Sequence, residues 1–486
     1  DLESVDPGSR HSVPYMWGTN GIGYKDVGAR FEAYNWHVQH VDDGNDIEAI
    51  DDAITAAKAE TEKPSLIIVN TDIAYGSPLQ DDADSHGAPL GEENIRAAKE
   101  NLGWPPDENF HVPEAALDHM RDAVQRGEDA QQKWTQHLAE CRVEAPATTE
   151  ELMEVLRGEL PSDWDLPFKV FTPDDGPMAT RNASGDVIEV LADKLPTLIG
   201  GSGDLAPSTK TIMDDYGEFT PEEAGRNIRF GVREHAMAAA VNGMALHGGI
   251  IPFGATFIVF SDYMRPSLRL AAIMECKSIF IFTHDSIGVG EDGPTHQGIE
   301  QVMSLRAMPG FTMLRPADAN ETVGAWRIAV ECDGPAAMAL TRQKLPVLDV
   351  EKYPVQEGVA KGAYILEAAD GDPDIVLMAT GSEVHLAMDA AAALRDDDIS
   401  VRVVSMPCWE IFDEQPEEYQ REVLPPGVPK LAIEAGSTLG WQKYVGDNGD
   451  VIGLDRFGAS APGDILMDKL GFNVNNVVKH ARALLQ

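Results

Sequence analysis

The sequence predicts an α/β protein of three domains built on largely parallel sheets, and three observations predict it. Short apolar runs alternate with helical patterns along the whole chain, as strand–helix–strand units require. The length of 486 residues accommodates about three domains of roughly 100–200 residues each. Two proline-bearing breaks, at 144–173 and 345–354, interrupt the alternation. The expected domains are therefore 1–160, 161–350 and 351–486.

In the first third, Ile47, Ile50 and Ile54 share one face of a helix that ends before Pro64, and Ser65 to Asn70 reads as a buried strand. A helix ending near Gly103 follows, Pro105-Pro106 breaks the pattern, and Glu114 to Cys141 reads as a long polar helix lying over a surface. Glu144 to Pro173, with prolines at 146, 161, 167 and 173, reads as a linker. Strands are expected at Thr197 to Gly200, Ile250 to Phe253, Ser278 to Thr283 and Ala336 to Leu340, with helices between them. A second linker at Leu345 to Pro354 precedes strands near Ile375 to Ala379, Val401 to Ser405 and Leu431 to Glu434.

Hydrophobic residues make up 43% and charged residues 24%, which excludes a disordered or fibrous chain. The 81 Asp+Glu against 38 Lys+Arg leave a net charge of −43, so nucleic acid and anionic membrane surfaces are poor partners. The same excess fits a strongly solvated surface of the kind adapted to high salt. Cys141, Cys276, Cys332 and Cys408 are scattered without a CxxC pair, which argues against a zinc site or a disulfide framework and for a reducing cytoplasm. No apolar run approaches the roughly 20 residues that span a bilayer.

The chemistry concentrates between Arg181 and Arg342. Gly200-Gly201-Ser202-Gly203-Asp204-Leu205-Ala206-Pro207-Ser208 follows an apolar strand, so its glycines are expected to form a tight turn that offers backbone N–H groups to an anion; a plain strand-to-helix turn is the other reading. Glu234 opens an Ala/Met-rich, buried helix, where the dipole favours a carboxylate, as a cap or as more. Phe257, Phe260 and Tyr263 recur every three residues, as a core stripe or a cofactor platform. His284 and His296 sit in one strand-end segment, the place where parallel sheets gather functional groups.

Together, GGSGDLAPS, RFGVREHAM, FGATFIVFSDYMRP, THDSIGVGEDGPTHQGIEQ and RPADANET resemble the pyrimidine-binding domain of the transketolase family. Ala29 to Trp104, including Ser85-His86-Gly87-Ala88-Pro89-Leu90-Gly91, resembles part of its diphosphate-binding domain, and Leu377 to Glu383 with Arg456 to Pro462 resembles its C-terminal domain. The resemblance implies ketol transfer between sugar phosphates with thiamine diphosphate and Mg2+. By residue matching it assigns Glu234 to the aminopyrimidine, with Phe257, Phe260 and Tyr263 around that ring and Asp204 and Leu205 lining the cofactor cleft. It places His284 beside the reacting carbons, Arg181, Ser208, His296 and Arg342 at the sugar phosphate, and Asp292 and His86 at substrate hydroxyls, His86 also counting as catalytic. It further implies a homodimer whose subunits share each site.

The departures lie at the start. The family's Gly-Asp-Gly metal motif and several histidines have no match in residues 1 to 28, so the first domain is expected to be incomplete. Asn20 and Ile22 match the later part of the metal loop, and Ala83 stands where the family carries a histidine. Residues 6 to 25 resemble a segment of periplasmic polyamine-binding proteins, a stretch too short to form their ligand site. Weak or partner-dependent transketolase activity is thus the first expectation, with a separate chain supplying the missing half-domain. A non-catalytic dimer is the second.

Repulsion within a net charge of −43 is screened over about 8 Å at physiological ionic strength and about 3 Å at 1 M. The melting temperature should therefore rise between low salt and about 1 M. A flat or falling curve, followed by circular dichroism, contradicts the high-salt reading.

Overall fold

Three sheets carry the chain. The computed structural model describes residues 26–486 except Pro167, so Asn20, Ile22 and the segment 6–25 lie outside the described residues. The chain divides into two compact units, the first ending at His137 and the second running Leu138–Gln486.

In the first unit, β1 (His37–Val41) and β2 (Ser65–Val69) pair in parallel, joined through the helix Ile47–Ala59. Asp46 caps that helix by accepting the Ala49 N–H at 3.0 Å. Its expected apolar face is not covered: Ile47 is 78% exposed, and Ala53 is the helix's buried residue. The helix Glu114–Glu144 contains the division between the units, and none of its residues is buried. The stretch expected as a linker includes a further helix, Pro146–Leu156, whose proline occupies the first turn, where a missing N–H costs nothing.

The second unit holds two sheets. The first contains β3 (Leu198–Ser202), β4 (Asn227–Arg229), β5 (Ile251–Phe257), β6 (Ile279–Thr283), β7 (Thr312–Leu314) and β8 (Ala336–Leu340). All its pairings are parallel, in the order β4-β3-β5-β6-β8-β7. The second sheet contains β9 (Tyr364–Glu367), β10 (Ile375–Ala379), β11 (Val401–Ser405), β12 (Lys430–Ile433) and β13 (Asp450–Ile452), ordered β13-β12-β10-β11-β9 with only β9 antiparallel. Central strands such as β6, β8 and β10 are buried at every residue, as sheets covered on both faces demand. Trp326 fills the core below the first sheet and donates its indole N–H to Ser184 Oγ at 2.9 Å. The expected second linker is drawn into this core, since Leu345, Val347 and Leu348 are buried and Leu345 bridges to Met178.

The carboxyl ends of both sheets meet across buried charge. Arg315, just beyond β7, donates Nε–H to Asp285 beyond β6 at 2.9 Å and Nη1–H to Glu383 beyond β10. Arg306 grips Glu434, beyond β12, through two parallel bonds of 2.8 and 2.9 Å and stacks 4.1 Å over Trp409. Thr380 and Trp441 also donate to Glu434. Burial alone would raise the Glu434 carboxyl, but Arg306 and Arg315 outweigh it and hold it at about 2. Its contribution to stability is therefore complete above its ordinary 4.5 and is lost as the pH falls through about 2.

Removing one partner from such a pair strands a buried charge. Arg306→Met should destabilise the chain by roughly 3–5 kcal/mol in equilibrium urea unfolding. Adding Glu434→Gln to that variant should restore part of the loss, because no unpaired carboxylate is left and the amide oxygen still accepts from one of Thr380 and Trp441.

Candidate active site

Register along the carboxyl edge of the first sheet assembles the site. Phe257 ends β5 and lies opposite Thr283, the last residue of β6, so His284 emerges directly beside it. The chain then turns into the helix Ser261–Ile273, and the three-residue spacing aligns the rings at that corner. Phe257 stacks on Phe260 with centroids 5.8 Å apart at 15°, and Phe260 on Tyr263 at 6.2 Å and 29°. Tyr263, 64% exposed, leaves this ladder open at its outer end. The His284 ring lies 3.6 Å from Phe257, and His296 lies 6.0 and 5.8 Å from Phe257 and Phe260.

His284 has a left-handed backbone, φ 62°, which costs a non-glycine residue roughly 1–3 kcal/mol. Its Nδ1 is 2.8 Å from Thr283 Oγ1. Burial, followed by Arg181, Arg342 and His296, pushes the imidazole down to about 3, so it is neutral near pH 7. Arg181 donates Nη1–H to the Ser208 carbonyl at 2.7 Å, while its Nε is buried without a partner. Burial and then Arg342 lower its pKa, and no carboxylate acts against them. Arg181, which has no carboxylate partner among the described residues, and Arg342 beside it fit an anion even in a chain of net charge −43. Arg342 donates to the Val289 carbonyl and, with exposed Asp292, lines a cavity of about 580 Å³.

Glu234 starts the helix Glu234–His247 and is 9% exposed, with no hydrogen bond to its carboxylate among the described residues. A Cβ on Gly203 would lie 3.8 Å from Glu234 Cγ, so the loop bearing Asp204 and Leu205 adjoins the carboxylate. Ser202 Oγ holds that loop by accepting the Leu205 N–H at 2.9 Å.

Two expectations are corrected. Gly201, expected in the turn, lies with Gly200 inside β3, where a Cβ would come within 2.3 Å of the Phe253 carbonyl at Gly200 and 1.9 Å of the Ile228 carbonyl at Gly201, and the strand-to-helix turn falls at Gly203 to Leu205. Glycine there allows neighbouring backbones to approach. The helix Glu234–His247 buries only one side; Ala236, Ala239, Ala240 and Gly243 are exposed. His86 belongs to the first unit, exposed, with its backbone N–H on the Ala83 carbonyl at 3.0 Å.

The residues fit a basic heteroaromatic ring, since an unpaired carboxylate and an open aromatic ladder stand on one sheet edge. They also fit a phosphate dianion at Arg181 and Arg342. No three His, Cys, Asp or Glu side chains cluster as a metal site among the described residues, and Asn20 and Ile22 lie outside them. Sequence reasoning singled out His284 but missed Asp285 and Arg315; the one local signal was a carboxylate next to a strand-end histidine.

Residues 18–161, 176–347 and 362–473 match family models described as the transketolase thiamine diphosphate binding domain, pyrimidine binding domain and transketolase-like C-terminal domain. The transketolases of Aquifex aeolicus and Bacillus subtilis are both 49% identical to this chain, over 93% and 95% of it and 66% and 70% of their own lengths. The chain thus spans about two thirds of the length of these relatives. A crystal structure of a mutant transketolase from Pichia stipitis with xylulose 5-phosphate superposes at a TM-score of 0.90 and 40% identity, covering 96% of this chain and 69% of that one. Transketolase from Leishmania mexicana gives 0.89 and 41%, with 96% and 69% covered. Near-half identity over more than nine tenths of its residues, on this fold, shows that the chain belongs to the transketolase family.

Proposed function

We propose that the chain carries out transketolase chemistry, moving a two-carbon ketol unit from a ketose phosphate to an aldose phosphate. The observation that carries this reading is the stacked ladder Phe257–Phe260–Tyr263 on a sheet edge that also carries Glu234, Arg181 and Arg342, for which no ion pair is formed among the described residues. Solved relatives from Pichia stipitis hold xylulose 5-phosphate and sedoheptulose 7-phosphate, which supports sugar phosphates as substrates. Domains 1–160, 161–350 and 351–486 and a cytoplasmic setting complete the reading; Cys276 and Cys408 are buried free thiols.

Thiamine diphosphate, when bound, supplies a carbanion-stabilising ring; the chain's residues do the rest. Glu234 holds a proton against the pyrimidine nitrogen, in a site where burial strengthens that bond. Phe257, Phe260 and Tyr263 stack on the ring and keep water from it. Arg181 and Arg342 take the phosphate, with Ser208 and His296 beside them, and Asp292 takes a hydroxyl. His284, neutral and with Nδ1 engaged by Thr283, presents Nε2 to the substrate. Burial is the main cause of its low pKa, and a phosphate dianion offsets the Arg181 and Arg342 charges that lower it further, so sugar-phosphate binding makes His284 a better proton acceptor.

The 486 residues given contain no Gly-Asp-Gly, the motif that the family resemblance assigns to the metal. Cofactor affinity of this polypeptide alone is therefore expected to be weak, and a second chain that completes the site should raise it. A homodimer is part of the reading, supported by exposed small and apolar residues on two neighbouring helices. They are Ala236, Ala239, Ala240 and Gly243 on one helix, with Leu270 and Ile273 on the helix packed beside it.

With excess cofactor, Glu234→Gln should lower ketol transfer by about 10²–10⁴-fold. Undiminished turnover in that variant removes Glu234 from the chemistry. Arg181→Ala and Arg342→Ala should each raise KM for phosphorylated sugars by roughly 10–100-fold, leaving a non-phosphorylated ketose nearly unaffected. Light scattering at micromolar concentration should report a dimer, and a clean monomer contradicts that part of the reading.

A further inference from the structure

We infer that Arg315 is a positioning residue for His284, clamped from the C-terminal sheet and acting through Asp285. The inference rests on the reading of His284 as the group beside the reacting carbons.

Only one residue separates the end of β6 from Asp285, and that residue is His284. On one side Thr283 is locked into the sheet by its register with Phe257 and Leu340. On the other, Asp285 is 1% exposed and ion-paired with Arg315, whose Nε–H donates to its Oδ2 at 2.9 Å. His284 thus spans two fixed points and is kept left-handed, its ring pressed on Phe257. Freed at either point, a histidine would relax toward negative φ and swing its ring off the ladder.

Arg315 is itself held by the neighbouring sheet. Its Nη1–H reaches Glu383 and Thr380 Oγ1, the latter at 2.9 Å. Gly381, at φ 52°, leaves the space it needs, because a Cβ there would lie 2.8 Å from the Arg315 Cζ. Glu383 is anchored in turn by the Ala435 N–H at 2.9 Å. No residue of the C-terminal sheet stacks on the His284 ring, yet Thr380, Glu383 and Glu434 set where that ring stands. The fork matters as much as the charge: a lysine offers one point where Arg315 directs Nε–H to Asp285 and Nη1–H to Thr380 and Glu383.

The test uses the full chain with isotope-labelled histidine, the His284 ring signal being identified by its loss in His284→Gln. Arg315→Lys keeps the charge, and Asp285→Asn keeps the shape, so at least one should fold with a near-parental melting temperature. The groups facing the ring are Arg181, Arg342 and His296, all unchanged in both variants. In either folded variant His284 should leave its buried place and titrate about one unit or more above the parent. With cofactor in excess, kcat should fall by about tenfold or more while KM for the sugar phosphates moves by less than about threefold. An unchanged His284 titration in a folded variant overturns the inference whatever turnover does. If the parent chain transfers no ketol units, the functional reading fails, and the titration still decides the positioning.

Discussion

Five buried charges at the junction of two sheets govern the second unit. Two arginines face three carboxylates with almost no water access, so each must be paired or the junction does not form. Because every one of them sits just beyond a strand or at a helix end, closing the junction fixes the carboxyl edges of both sheets at once. Those edges are where parallel sheets present their loops, and the site is built from those loops. The polar cluster therefore gives the two sheets a unique register that apolar packing alone would leave loose.

The electrostatics of the site follow from the same arrangement. The surface is strongly acidic, yet the rings at the edge of the first sheet are surrounded by Arg181, Arg342, His284 and His296 with no carboxylate answering Arg181. Asp285, next to His284, is turned inward and consumed by Arg315. Positive charge is thereby left for an incoming anion, inside a molecule whose far field would repel it.

Much of this was legible in the residues. β8, β10 and β11 fall where their apolar runs predict, because central strands are buried on both faces and read as continuous hydrophobic segments. β4, β7 and β13 are three residues each, too short for any periodicity, and β1 is a half-polar His-Val-Gln-His-Val. Glu234, His284, His296 and the aromatic spacing were visible as local patterns. Gly201 was misread because its reason lies in Ile228, distant in sequence. The charged cluster was invisible for the same cause: Asp285, Arg306, Arg315, Glu383 and Glu434 share no spacing, and only the fold brings them together.

The cluster also shapes how the chain leaves its native state. Charges are desolvated only when both sheets are complete, so the network forms after most apolar surface has been buried, late on the folding route. Interactions absent from the transition state slow unfolding without speeding folding. A junction that adds little to equilibrium stability, because desolvation offsets much of the attraction, can in this way lengthen the lifetime of the folded molecule.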